Sequence, residues 1–196
     1  MITAKEIAEL RAKTGIGMMD CKKALVEAGG DEEKAMEILR KSGAAKAAKR
    51  AERETKNGLI ESYIHANNKL GVLVEVLSES DFVAKNDEFK EFAHDVALHI
   101  AAMNPKYISR EEVPADEVAK EKETLLEEVK ASGKPAEIAE KIVEGRLNKF
   151  YEEICLLYQP FVKDGTKTIE DLLNEKIAKI GEKIVIARFC RFSIGE

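Results

Sequence analysis

The side chains that could do covalent chemistry in this 196-residue chain are few and scattered. Cys21, Cys155 and Cys190 are odd in number, far apart and without the paired spacing of a zinc site or a disulfide framework. Three reduced, semi-buried thiols are expected, with an intersubunit contact at Cys190 as the sharper alternative. His65 falls on a strand pattern and His94 on the polar side of a long helix pattern. His99 flanks that helix's apolar face, where a satisfied structural histidine is commoner than a general base. Gly15-Ile16-Gly17 is a lone Gly-x-Gly after a helix, whereas a phosphate loop needs a preceding strand and more glycines. There is no Gly-x-Ser-x-Gly elbow and no His-Glu-x-x-His metal helix. Most carboxylates have lysines four residues away, the mark of solvated helix faces. No catalytic residues, metal ligands or cofactors are therefore expected. One segment stands apart, Ser78-Glu79-Ser80-Asp81-Phe82-Val83-Ala84-Lys85-Asn86-Asp87-Glu88-Phe89, on a strand-to-helix connection. Phe82 there is either a staple into the core, with Asp81 or Asn86 as a helix cap, or an exposed aromatic of the interface hot-spot kind. Pattern leaves both open.

The elements that must position these residues follow from composition and period. The chain carries 32 Lys and Arg against 37 Asp and Glu, is 44% hydrophobic and only 6% aromatic, and has no Trp. That excludes a disordered chain, and the lack of any long apolar run excludes a transmembrane helix. The net charge of −5 and the few aromatics disfavour a nonspecific nucleic-acid binder. The polar start, Met1-Ile2-Thr3-Ala4-Lys5-Glu6, points to a cytoplasmic protein. Length predicts one or two domains, and the predicted fold class is α+β. Residues 1–42 read as three short helices: Thr3 to Glu6 is a capping box, Met18, Cys21, Leu25 and Ala28 share a face, and Asp31 caps a third helix. So small a bundle is a docking module. Residues 43–57 read as a solvated helical linker, within a basic run at 40–56 of seven cations against two acids. Residues 58–196 read as the core. Ile60, Ile64 and Ala66 alternate with Glu61, Tyr63 and His65, and Val72, Val74 and Val76 with Leu73, Glu75 and Leu77, joined by the Asn-rich turn at 67–71. A helix follows from about Asp87 to Met103. Thin stripes at Val118, Leu125, Leu126 and Val129, then Ile138, Ile142 and Val143, turning at Gly133-Lys134-Pro135, predict a projecting helical hairpin at about 111–150. Thr168 caps a last helix closed by Gly181. The final strand, Ile184 to Phe192, is apolar on both faces and should be buried on both.

Several of these stretches resemble the bacterial elongation factor Ts family. Thr14-Gly15-Ile16-Gly17-Met18-Met19-Asp20-Cys21-Lys22-Lys23-Ala24-Leu25 is similar to its N-terminal signature. Ser80-Asp81-Phe82-Val83-Ala84-Lys85-Asn86 is similar to its second signature, with Ser80 where Thr is usual. Tyr63-Ile64-His65, Gly71 to Glu75, Leu156 to Val162 and Ile180 to Phe192 match in order, so the likeness covers essentially the whole chain. It implies a guanine nucleotide exchange factor for the GTPase elongation factor Tu, bound in its GDP and nucleotide-free forms, with no covalent catalysis. It implies a ubiquitin-associated-like three-helix module that docks on the GTPase through Thr14, Gly15, Gly17, Met18, Met19, Cys21, Lys22, Lys23 and Leu25. It also implies that Ser80, Asp81, Phe82 and Val83 form the turn that dislocates Mg²⁺ in the GTPase. Longer members have two sheet subdomains where this chain shows one, so the resemblance is to a short form expected to work as a homodimer. The interface is expected either at the hairpin or at the strand around Cys190. No membrane and no direct nucleic-acid partner are expected. The rival reading is an RNA-binding translation factor using the basic 40–56 segment.

Overall fold

The computed structural model describes residues 2–131 and 136–195. The chain opens with a three-helix head. Helix α1 (Ala4–Thr14) begins at a complete capping box: the Thr3 hydroxyl oxygen accepts from the Glu6 N–H, and Glu6 accepts from the Thr3 N–H at 2.6 Å. It ends at Gly15, whose φ of 68° lets the chain turn left-handed. Helix α2 (Met18–Glu27) follows, and Asp31 caps α3 (Glu32–Arg50) by accepting from the Lys34 N–H. Ile7, Leu10, Ile16, Cys21, Ala24, Leu25, Ala35 and Leu39 close into a separate small core.

The segment read as a solvated helical linker at 43–57 is helical as far as Arg50 and mostly exposed, but it continues α3 and is buried at Gly43. Helix α3 runs through position 42 without a break to Arg50 and lies along α8 (Ile169–Ile180). Gly43 makes that approach close: a Cβ there would sit 3.4 Å from the Asn174 carbonyl oxygen and 3.6 Å from the Ala178 Cβ. A small-residue crossing of this kind buries helix surface without an apolar stripe, so hydrophobic period does not reveal it.

The core is an antiparallel sheet of β1 (Asn57–Ile64), β2 (Leu70–Ser78) and β5 (Ile184–Ser193), with β2 in the centre. Asn68, at φ 56°, makes the β1–β2 hairpin turn. Val72, Val74 and Val76 face α5 (Asp87–Met103), and Phe89, Phe92, Val96 and Ile100 on that helix are fully buried against them. Short α4 (Asp81–Lys85) links β2 to α5. Helices α6 (Ala115–Ala131) and α7 (Ala136–Ile154) form the hairpin, closed by Leu125, Val129, Ala139 and Val143. The predicted turn at Gly133-Lys134-Pro135 lies outside the described residues. Val118 belongs instead to the hairpin's root, packed with Val113, Ile154 and Cys155. A small ribbon, β3 (Pro160–Phe161) and β4 (Asp164–Thr168), leads into α8, which starts at a Thr168 capping box and ends at Gly181. None of the helices among the described residues is long and apolar enough to cross a membrane.

Two expectations about the sheet are corrected. On β5 only Ile184 and Ile186 are buried, while Arg188, Cys190 and Phe192 are exposed, because helices cover one side of the sheet and leave the other open. On β1 the face turned to the core carries Leu59 and Tyr63, and Ile60 and Ile64 point outward.

Candidate functional site

The β2–α5 connection is built from short-range caps and long-range clamps. Ser78 is buried and its hydroxyl donates to the Ser80 carbonyl at 2.9 Å, which tightens the chain as it leaves the strand. Ser80 is the N-cap of α4, its hydroxyl oxygen accepting from the Val83 N–H at 3.4 Å. Asn86 ends α4 with an extended ψ and caps α5 by accepting from the Glu88 N–H at 2.8 Å. Val83 and Ala84 pack on the core, which leaves Phe82 on the outside of a five-residue helix at 81% exposure. Phe82 is therefore no staple. Asp81 caps nothing; it pairs with Lys85 at 2.7 Å, and that ammonium holds its carboxyl below the usual carboxylate range.

The clamps come from the α8–β5 turn. The Glu182 carboxylate accepts from the Ser80 N–H at 3.0 Å and from the Ser80 hydroxyl at 2.6 Å. Glu79 accepts from the Lys183 N–H at 2.6 Å and pairs with Arg53. The backbone donor and the guanidinium together hold the Glu79 carboxyl below its ordinary value. Asn57 donates to the Glu79 carbonyl at 2.8 Å, and the Lys183 ammonium donates to the carbonyls of Ala51 and Arg53 beyond α3.

On the head, the Thr14 hydroxyl donates to the Leu10 carbonyl at 2.8 Å and accepts from the Ile16 N–H at 3.3 Å, fixing the 14–17 loop. Gly15, Gly17, Met18, Met19, Lys22 and Lys23 are exposed, and Thr14 is half-buried. Cys21 and Leu25 are buried in the head's core, so of the predicted docking residues these two support the surface without forming it. The expectation that Met18 lies on the buried face of α2 is corrected too: Ala24 lines that face with Cys21 and Leu25. Sequence reasoning missed Val26 and Met36, both exposed apolar side chains on the head. The signal for Val26 was present, since Met19, Lys22, Lys23 and Val26 stand at i, i+3, i+4 and i+7 on one face of α2.

Five of the seven cations in the basic run are paired with carboxylates, while Arg50 donates to the Lys46 carbonyl and Lys49 has no ion pair among the described residues. Arg40 pairs with Asp171, Lys41 with Glu37, Lys46 with Asp20, Arg53 with Glu79 and Lys56 with Glu54. His65 and His94 flank the same Tyr63 ring, and His99 is buried elsewhere on α5. His65 meets the Tyr63 hydroxyl, His94 meets Glu61, and His99 is buried between Gln159 and the Val162 N–H. No group of His, Cys, Asp and Glu side chains suited to a metal ion occurs among the described residues. Burial raises the Cys155 thiol to about 11, far from a nucleophile's range.

Comparison with known proteins covers the chain almost from end to end. The family model described as "Elongation factor TS" matches residues 3–196. The chain is 59% identical to elongation factor Ts of Acetivibrio thermocellus, over all of this chain and 91% of that protein. It is 58% identical to elongation factor Ts of Fervidobacterium nodosum, over all of this chain and 99% of that protein. It is 60% identical to that of Alkaliphilus oremlandii, over all of this chain and 90% of that protein.

Proposed function

This chain belongs to the elongation factor Ts family of translation factors, and on that premise we propose that it is the guanine nucleotide exchange factor for elongation factor Tu. The observation that carries the reading is Phe82, a large apolar side chain left outside the core on a turn held at both ends. The exposed face of the head, with Met18, Met19, Lys22 and Lys23, docks on the GTPase domain. Phe82 enters an apolar crevice beside the nucleotide site, flanked by Ser80, Asp81 and Val83.

The chemistry is one of displacement. Mg²⁺ demands near-ideal octahedral geometry, and much of the nucleotide's affinity depends on the ion bridging phosphate and protein. A wedge that shifts the metal-holding segment by about an ångström spoils that geometry and releases Mg²⁺ and then GDP. Because the factor binds the nucleotide-free GTPase best, it weakens nucleotide binding by the same factor, and incoming GTP expels it in turn. No bond is made or broken in this reading.

Release of fluorescent GDP from elongation factor Tu tests the wedge. Wild-type protein should accelerate release, and Phe82→Ala should lose about tenfold or more of that acceleration while still binding through the head. Since Phe82 is exposed, its removal should leave stability within about 0.5 kcal/mol. Undiminished release by the variant would refute the wedge. The RNA-binding alternative loses ground because five of the seven cations in the basic run are engaged with carboxylates. The proposed homodimer forms through the uncovered sheet face, where Ile60, Ile64, Leu73, Cys190 and Phe192 are exposed together.

A further inference from the structure

We infer that Glu182 is a positioning residue for exchange, acting through Ser80 to hold the Phe82 turn in its inserting conformation; this rests on the exchange reading above. Phe82 is 81% exposed, so little packing orients it and its direction follows chiefly from the backbone of α4. A five-residue helix has no stability of its own, since nucleation is not repaid over so short a run. Something outside the turn must keep it formed.

The geometry assigns that task to Glu182. Gly181 closes α8 at φ 86° and reverses the chain, which brings the Glu182 carboxylate onto the start of α4. One oxygen takes the Ser80 N–H at 3.0 Å and the other takes the Ser80 hydroxyl at 2.6 Å. The second bond does more than tether. It fixes the hydroxyl proton on Glu182, so the Ser80 oxygen presents its lone pairs to the Val83 N–H and caps the helix. Both bonds are charge-assisted and therefore stronger than neutral ones. The neighbouring hydrogen bond from the Lys183 N–H to the Glu79 carboxylate, at 2.6 Å, holds the same two segments together one residue earlier on β2's side. Lys183 ties both to the end of α3 through the Ala51 and Arg53 carbonyls, so the turn and the head are referenced to one point.

The inference predicts a defect in rate and not in docking. With Glu182→Ala, the maximal rate of GDP release should fall roughly tenfold, while the factor concentration giving half the effect, set largely by the head, should stay within about twofold. Glu182→Gln, whose amide oxygen still accepts one of the two hydrogens, should recover part of the rate. Ser80→Ala, which removes the hydroxyl arm, should reproduce part of the loss without touching Glu182. In a Phe82→Ala background Glu182→Ala should cost nothing more. In the free protein, amide hydrogen exchange should speed up at Ser80 and Val83 and stay unchanged in α5 and the sheet. Normal release by Glu182→Ala, alongside a defective Phe82→Ala, would overturn the positioning role and leave the exchange reading standing. Further loss in the double variant would overturn it as well, since Glu182 would then act by another route. If Phe82→Ala itself released GDP normally, the wedge would fall and Glu182 would have no inserting turn to position. The amide-exchange measurement would then decide the clamp alone, with unchanged exchange at Ser80 and Val83 sinking it.

Discussion

At the scale of single residues, two glycines show how local conformation and space combine. Gly15 ends α1 at φ 68°, and the place where a Cβ would stand is occupied by the stem of Lys179. That stem is flexible at its far end, although its ammonium meets Glu88 at 2.5 Å. Gly58 sits at φ 151°, and there a Cβ would strike the Val76 carbonyl and the Leu77 Cα across the β1–β2 ladder. Backbone in a central strand cannot swing aside. Gly15→Ala should therefore cost about 1–2 kcal/mol, the left-handed penalty plus a displaced lysine. Gly58→Ala should cost more than that, since the ladder itself must shift. Urea unfolding midpoints of the two variants check the order, and a Gly58→Ala protein as stable as Gly15→Ala would contradict it.

At the scale of elements, His99 joins α5 to the segment that leads into β3. Its Nδ1 accepts from the Val162 N–H at 3.2 Å, so the proton lies on Nε2 and is donated to Gln159 Oε1 at 3.0 Å. Gln159 in turn donates to the Glu153 carbonyl near the end of α7 at 2.7 Å. A second proton has no place in this arrangement, and burial lowers the imidazole's pKa below its ordinary 6.5. The folded state thus binds fewer protons than the unfolded state once the pH falls below about 6.5. Stability should be level above that value. Below it, stability should decline by at most about 1.4 kcal/mol per pH unit until the folded histidine itself titrates. Glu79 and Glu88, with carboxyls held below 4.5, add their own loss only at lower pH, whereas burial raises the Glu170 carboxyl and gives it a slope of opposite sign, so between about 6.5 and 5 it is the comparison with a His99 variant that isolates the histidine. Thermal midpoints across that window, compared with His99→Gln, should show a slope that the variant lacks. An equal slope in both would place the effect elsewhere.

The elements also show what sequence could and could not reveal. Caps at Thr3, Asp31 and Thr168 are local chemistry and stand where spacing put them. The α5 face from Phe89 to Ile100 and the Val72-Val74-Val76 face of β2 are periodic, and both are buried. The sidedness of β1 was not legible, because Ile60 and Ile64 alternate as a core face would and yet point outward. The crossing at Gly43 depends on α8, about 130 residues away in the chain, and leaves no periodic trace. At the candidate site, the segment from Ser78 to Phe89 stood out from its place between strand and helix, and only the family resemblance narrowed it to Ser80 to Val83. Whether Phe82 pointed in or out depended on Val83 and Ala84 taking the core side and on Glu182, 102 residues from Ser80. Local pattern carries no information about partners that distant.

At the scale of the whole molecule, the open side of the sheet is the surface on which the proposed homodimer rests. Helix α5 covers one face, while Ile60 at 66%, Ile64 at 61%, Leu73 at 45% and Phe192 at 69% exposure stand on the other. Leu73 lies opposite Cys190 and Gly71 opposite Phe192 in the β2–β5 register, so the side chains form one continuous surface. The Glu75–Arg188 ion pair gives it a charged border. Contiguous apolar patches of this kind are rare on monomers and mark interfaces. A second copy turned by a two-fold axis offers the same patch, and two such sheets pack about 10 Å apart to make a sandwich. The hairpin is the weaker candidate, because Leu125, Val129, Ala139 and Val143 already consume its stripe internally. Sedimentation over a concentration series should therefore find a dimer. Phe192→Glu, which buries an unpaired carboxylate in that face, should weaken it by about 100-fold, or about 3 kcal/mol. Lys122→Glu on the exposed side of the hairpin should leave it intact. A monomer at high concentration would remove the homodimer from the proposal, and a dimer lost with Lys122→Glu but kept with Phe192→Glu would move the interface to the hairpin.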